Sequence, residues 1–268
     1  MIASKNAVIT GASSGIGRAL ALEAARRGYH VAVCARNMEP LKALQKEIQS
    51  YNQQCFVFQA DISNESECKA FLQFALQKLN AIHLLINNAG MSMRASFLET
   101  RAGVLEQVMQ TNFWGAVYCT RYALPSIIQN QGSIVAMSSV AGFAGLPGRT
   151  GYSASKFAMH GFFEALRTEL LALPVHILIV CPGFTESNIR KKALNYQGKE
   201  QEESPRAETK MMTAQEVAIR TFNALNKRKK RVVFTLQGKL SYLVNRFFPT
   251  WATRLTYKHL KKEPDAPF

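Results

Sequence analysis

Acidic residues are scarce in this chain of 268 residues: 18 Asp and Glu stand against 33 Lys and Arg, a net charge of +15. Cysteine is sparse and unpatterned. The five (Cys34, Cys55, Cys68, Cys119, Cys181) contain no C-x-x-C pair and are odd in number. That argues against a disulfide framework and reads as buried, reduced thiols of a cytoplasmic protein. His30, His83, His160, His176 and His259 lack ligand spacing, so no metal site is expected. Long apolar runs are missing: the longest, Val175–Phe184, is about half of the ~20 residues that a membrane-spanning helix needs. The chain enters a strand pattern by Asn6, so no secretory leader is expected, and Asn64-Glu65-Ser66 reads as a chance glycosylation match. With 47% hydrophobic residues the composition is otherwise that of a globular protein. The basic excess then points to nucleic acid, an anionic membrane or an anionic small molecule.

The charge is unevenly spread. Residues 227–268 hold eleven basic and two acidic residues, leaving only +6 for the first 226. Before the tail, short apolar runs alternate with amphipathic stretches. Strands are predicted at Asn6–Thr10, His30–Ala35, Cys55–Gln59, Ile82–Asn87, Gly132–Ser138, Val175–Cys181 and Arg231–Leu236. Helices are predicted near 16–27, 41–50, 65–79, 101–128 and 154–171. Continuous apolar strands separated by helices imply repeated βαβ units and an α/β, Rossmann-type doubly wound parallel sheet with helices on both faces. Asn188–Lys210 breaks the rhythm as a polar excursion, predicted to be a lid. Thr213-Ala-Gln-Glu216 reads as a capping box opening a further helix. The expected organisation is one catalytic domain over 1–237, carrying 238–268 as a basic extension of the same domain.

Thr10-Gly11-Ala-Ser13-Ser14-Gly15-Ile16-Gly17 follows the first strand and opens the first helix. Glycines permit a tight turn and close backbone approach, and a helix N-terminus presents free N–H groups to a phosphate. The G-x-x-x-G-x-G spacing differs from the Walker loop and disfavours NTP hydrolysis. Where NAD sites place an acid at the end of the second strand, this chain has Arg36, suited to a ribose 2′-phosphate. NADP(H) is the expected cofactor, with Arg18 or Ser14 assisting. Tyr152 and Lys156 stand at i and i+4 on one helix face. A neighbouring ammonium favours the phenolate, making Tyr152 a candidate acid/base for a carbonyl or alcohol.

These motifs, in this order, resemble the short-chain dehydrogenase/reductase family. The match includes Thr10–Gly17, Asn87-Asn88-Ala89-Gly90, Asn112, Ser138-Ser139, Tyr152/Lys156 and Pro182-Gly183, spanning about residues 5–185. The resemblance implies a seven-stranded fold and hydride transfer, with Asn112, Ser139, Tyr152 and Lys156 as the catalytic set. Ser139, thirteen residues before Tyr152, fits the family serine better than Ser138. Tyr152 would act on the substrate oxygen, Ser139 would polarise it, and Lys156 would lower the Tyr152 pKa and hold the ribose. Asn112 would anchor a water. Asp61 and Ile62 would contact the adenine, Asn88, Ala89 and Gly90 would flank the cofactor, and Thr185 beyond Pro182-Gly183 would bind the carboxamide.

Met91, Met93, Phe143, Leu146 and Phe184 are expected to wall a pocket for an apolar, lipid-like ketone or alcohol. Arg94 and Arg149 are expected to face solvent rather than an acidic head group. In the tail, Leu240, Leu243, Phe247, Phe248, Trp251, Leu255 and Leu260 recur at helical spacing among cations. They predict amphipathic helices split at Pro249, whose apolar face is suited either to an anionic membrane surface and peripheral attachment or to packing on the body or on a subunit partner. The tail resembles those of the membrane-associated hydroxysteroid and 3-ketosphinganine reductase branches. The alternatives are a catalytically idle NADP-binding sensor or scaffold, which would not need the full proton-relay set, and nucleic-acid binding through Lys227–Arg231, which lacks any accompanying motif. The resemblance also implies a homodimer or homotetramer.

Overall fold

A computed structural model of the chain describes residues 5–183, 185, 188–202 and 211–268. Seven strands form one parallel sheet: β1 (Lys5–Thr10), β2 (Tyr29–Ala35), β3 (Cys55–Gln59), β4 (Leu84–Asn87), β5 (Ser133–Met137), β6 (His176–Cys181) and β7 (Arg231–Val233). Their order is β3-β2-β1-β4-β5-β6-β7, so the winding reverses between β1 and β4. The last strand is shorter than the expected Arg231–Leu236. Thr235 instead accepts a hydrogen bond from the Gly238 N–H and starts a helix.

Nine α-helices are described: α1 (Gly15–Arg26), α2 (Met38–Gln49), α3 (Glu65–Leu79), α4 (Ala102–Met109), α5 (Gly115–Gln129), α6 (Thr150–Glu169), α7 (Ala214–Asn226), α8 (Leu236–Phe247) and α9 (Pro249–Leu260). Side-chain caps mark several starts. Asn37, Asn64 and Thr213 accept from the N–H of Glu39, Ser66 and Glu216, satisfying otherwise orphaned donors. A single π turn, Gln110–Trp114, joins α4 to α5 and buries Asn112. Pro249 opens α9, dividing the tail where its missing N–H is no loss.

Alternation along the strands sends side chains to two cores. Ala7, Ile9, Val31 and Val33 pack with α1, α2 and α7; Val8, Ala32, Cys34 and Ile134 pack with α3, α5 and α6. All five thiols are free and buried. None of the described helices is long and apolar enough to cross a membrane.

Of the Asn188–Lys210 excursion, residues 188–202 are described. They pair with the segment after β4: the Leu194 N–H donates to the Ser92 carbonyl (2.9 Å) and the Arg94 N–H to the Leu194 carbonyl (2.8 Å). The tail also rests on the body. Tyr242 of α8 meets Phe143 edge-on with centroids 5.1 Å apart, and the Asn245 amide donates to the Phe143 carbonyl.

The ends of β5 and β6 are tied to α6 through His160. Its Nε2 lies 2.8 Å from Ser138 Oγ and 3.6 Å from Cys181 Sγ. Burial first, then the charges of Arg231 and Lys156, pull its pKa from 6.5 to about 4, so it is neutral at neutral pH. The folded value lies below the unfolded one, so its contribution to stability is fully present above pH 6.5 and is lost as pH falls through about 4. Urea denaturation across that window should show the wild type losing stability more steeply than His160→Gln. Parallel curves would remove this linkage.

Candidate functional site

A cleft of about 360 Å³ opens at the carboxyl ends of the strands, where the winding reverses. This is the place at which open α/β sheets bind ligands. The site begins with the turn after β1. Gly11 adopts φ +68°, and a Cβ there would lie 2.6 Å from Ala89 Cα. At Gly17 a Cβ would lie 2.1 Å from the Gly11 carbonyl oxygen and 2.4 Å from the Asn88 amide nitrogen. The glycines are therefore demanded by two loops packed against each other. Thr10 Oγ1 accepts the N–H groups of Asn88 (3.1 Å) and Ala89 (3.0 Å). The Asn88 side chain donates back to the carbonyls of Thr10 and Gly11. The hydroxyl of Thr10, a residue not singled out from the sequence except as the start of the glycine motif, thus fixes the junction.

Of the residues expected at the cofactor, all but Arg18 line this cleft. Gly11, Ser13, Ser14, Gly15, Ile16 and Gly17 form one wall, with Asn88, Ala89 and Gly90 opposite. Arg36, Asp61 and Ile62 stand at one end; Tyr152, Lys156, Pro182, Gly183 and Thr185 stand at the other. Ser14 is the N-cap of α1 but makes no side-chain capping bond, and the first turn carries no acid. The positive end of the helix therefore faces the cleft uncompensated. Asp61 Oδ1 accepts from the backbone and hydroxyl of Ser63, which holds its loop. Arg36 is exposed, on the cleft edge. Arg18 is instead ion-paired with Glu47. Glycines without room for a Cβ and a free helix start fit the phosphates of a nicotinamide dinucleotide.

At the opposite end Ser139 caps a short 3-10 turn, Val140–Gly142, its hydroxyl oxygen accepting the Ala141 N–H at 3.2 Å, and it lines the cleft together with Tyr152. Ser138 points the other way, into His160, so the two serines are distinguished by their partners. Burial raises the Tyr152 pKa; the Ser139 hydroxyl and the Arg149 charge lower it in part, while Cys181 raises it. This differs from the sequence expectation that Lys156 would bring it down. The Lys156 ammonium lies 5.8 Å from the Tyr152 ring centroid and donates to the Met137 carbonyl at 2.9 Å. Burial draws the Lys156 pKa down to about 8. Asn112 does not line the cleft. It sits behind Gly90, accepting from the Met91 N–H (2.8 Å) and donating to the Met91 carbonyl and Ser155 Oγ (2.9 Å each). Thr185 is buried, and its hydroxyl donates to the Gly183 carbonyl at 3.1 Å.

The expected substrate wall is met only in part. Met91 and Leu146 line the cleft. Met93 does not: it is fully buried in a separate cluster with Ala95, Val104, Val108 and Leu194. Phe143 belongs to the core beneath Tyr242. Phe184 lies outside the described residues. Ile189, Arg190, Lys192 and Glu200 from the excursion also line the cleft, as does Arg149. Arg94 and Arg149 do not face solvent as expected; the side chains of both are 11% exposed and ion-paired with Glu263.

Comparison with known proteins agrees with this geometry. Residues 5–198 match the family model for short chain dehydrogenases. The chain is 34% identical over 233 residues to dehydrogenase/reductase SDR family member 7B from Mus musculus, covering 85% of this chain and 72% of that protein. It is 40% identical over 200 residues to 11-beta-hydroxysteroid dehydrogenase A from Arachis hypogaea, covering 74% of this chain and 57% of that one. In fold it resembles a short-chain dehydrogenase from Streptomyces avermitilis, with a TM-score of 0.81 at 24% identity over 98% of each chain. The glycine-loop junction, the meeting of Ser139, Tyr152 and Lys156 in one cleft, and a family match running from β1 to beyond β6 lead to one conclusion: the chain belongs to the short-chain dehydrogenase family, in its hydroxysteroid-like branch, and is a dehydrogenase/reductase.

Proposed function

We propose that the chain transfers a hydride between NADP(H) and the carbonyl/alcohol pair of an apolar, lipid-like substrate. The observation that carries this reading is the meeting of Ser139, Tyr152 and Lys156 at one end of a cleft that runs past the glycine loop to Arg36. The nicotinamide, when bound, supplies or accepts the hydride. The chain supplies placement and the proton. Tyr152 is the acid/base at the substrate oxygen, and its raised pKa keeps it protonated at neutral pH, the form that delivers a proton during reduction. Ser139, beside Tyr152 in the cleft, supplies a second donor to the same oxygen. Lys156 holds the ribose hydroxyls, and Asn112 braces the Met91 backbone at the floor of the site. The start of α1 receives the phosphates, Asp61 and Ile62 the adenine, and Thr185 the carboxamide.

Arg36 selects the 2′-phosphate, because a guanidinium pairs with phosphate in bidentate fashion. An apolar substrate is supported by Met91, Leu146 and Ile189 on the cleft wall and by the steroid named in the Arachis hypogaea relative. The tail seats the enzyme peripherally on anionic membranes from the cytoplasmic side. Phe247 (63% exposed), Phe248 and Trp251 (69%) form an apolar face on α8 and α9 amid Lys239, Arg246 and Arg254. Residues 238–268 thereby serve as an extension of the one catalytic domain, 1–237. Self-association into a homodimer or homotetramer uses the α5 and α6 faces, where Trp114 at the start of α5 and Phe157 on α6 are exposed.

Tyr152→Phe should lower turnover by about 10²–10⁴-fold while NADPH binding, read by fluorescence titration, stays intact. Unchanged turnover sinks the assignment and leaves the idle-sensor alternative. Arg36→Asp should cut the kcat/KM preference for NADPH over NADH by about tenfold or more, the size expected for losing a charge-assisted hydrogen bond. An unaltered ratio would show that Arg36 does not read the phosphate. In vesicle sedimentation, the full-length chain should pellet with anionic but not zwitterionic liposomes, and Phe247→Glu with Trp251→Glu should abolish pelleting. Lipid-independent behaviour counts against membrane seating.

A further inference from the structure

The C-terminal segment reaches the catalytic cleft from outside. Beyond α9 the chain turns back over the loop that carries Arg149. Glu263 is buried between two guanidiniums: its Oε2 lies 3.0 Å from Arg149 Nη2 and 3.7 Å from Arg94 Nε. Arg94 also donates to the carbonyls of Pro264 and Asp265. A Cβ at Gly148 would lie 2.8 Å from Pro267, and Phe268 meets Tyr257 with ring centroids 5.7 Å apart. The last six residues are thus packed onto the body. Arg149, the residue they clasp, is the N-cap of α6, lines the cleft and stands three residues before Tyr152 on the same helical face.

A carboxylate buried this deeply is stable only in the company of its arginines. The converse holds for Arg149. A long side chain with a charged head at a helix start keeps that head in water unless an anion holds it against the protein. Glu263 forms that ion pair with Arg149, from 114 residues away in the chain.

We propose that Glu263 is a positioning residue: its carboxylate pins the Arg149 guanidinium to the cleft wall, one helical turn from the Tyr152 phenol, so that the C-terminal segment completes the catalytic site. The proposal rests on the reading of Tyr152 as acid/base. The other titratable groups facing Tyr152 are Lys156, on α6, and the Cys181 thiol, on β6; neither touches the tail. Asp265 and Arg94 face the clasp itself. Two effects of Glu263 on the phenol have opposite signs. Its own negative charge disfavours the phenolate, whereas the Arg149 charge that it holds in place favours it. Removal of Glu263 makes the phenol a weaker acid only if Glu263 acts through Arg149.

The test is the ionisation of Tyr152 in the full-length protein, read as the phenolate ultraviolet difference between each variant and the same variant carrying Tyr152→Phe. It is paired with the alkaline limb of the pH–turnover profile. Glu263→Ala should move the Tyr152 midpoint upward by about half a pH unit or more, about a threefold fall in the ionisation constant. Arg149→Met should do the same, and the double variant should move no further than Arg149→Met alone. Glu263→Asp should restore part of the shift. Should Glu263→Ala fail to fold by circular dichroism, the isosteric Glu263→Gln carries the same upward expectation. A midpoint that is unchanged or lower in the folded variants, or additive shifts in the double, overturns the proposal. A chain that reduces no carbonyl overturns the reading of the reaction instead, and the phenolate titration still decides the clasp.

Discussion

The site depends on one close approach, the packing of the glycine turn after β1 against the loop after β4. The two strands are neighbours only because the sheet reverses its winding there. Their loops meet so tightly that a Cβ at Gly11 or Gly17 would overlap backbone or the Asn88 amide. Thr10 and Asn88 then exchange hydrogen bonds across the junction, satisfying buried groups that would otherwise be costly. From that junction the rest follows in space. The start of α1 faces the cleft, Gly90 brings Asn112 and Lys156 to its back, and the ends of β5 and β6 bring in Ser139 and Thr185.

Around this frame the chemistry is set by buried charge. Lys156 is almost wholly removed from water, which draws its pKa down to about 8. The same removal raises that of Tyr152. Burial acts oppositely on an acid that ionises to an anion and a base that ionises to a cation, so the two values are driven apart and both groups are pushed toward their neutral forms. His160 stays neutral for the same reason and serves as a hydrogen-bonding strut under Ser138. The basic excess of the chain, by contrast, lies largely outside this region. Five of the cations form the run Lys227–Arg231 and four sit on α8 and α9 beside exposed aromatic rings, where water screens them.

Much of the fold was legible. Continuous apolar runs gave the seven strands because a parallel sheet buries both faces, and Pro249 marked the division of the tail because it cannot continue a helix. The cofactor residues were legible because a glycine turn between a strand and a helix constrains few alternatives. The pocket was less so. Met93 and Phe143 are apolar loop residues, and nothing in their neighbours in sequence says whether such a side chain turns to a cleft or to a core. The π turn at Gln110–Trp114 left no mark either: the sequence reads there as one helix over 101–128.

By itself, then, the sequence determined the strand–helix alternation, the glycine turn, the pairing of Tyr152 with Lys156 and the amphipathic tail. Each of these is a local pattern, written in residues a few positions apart. Tertiary structure alone decided which serine faces Tyr152, that Arg18 pairs with Glu47, and that Arg94 and Arg149 are buried against Glu263. Those outcomes depend on contacts between residues as much as 169 positions apart in number, and on how much water the packing leaves around each charge. Neither quantity is carried by local pattern.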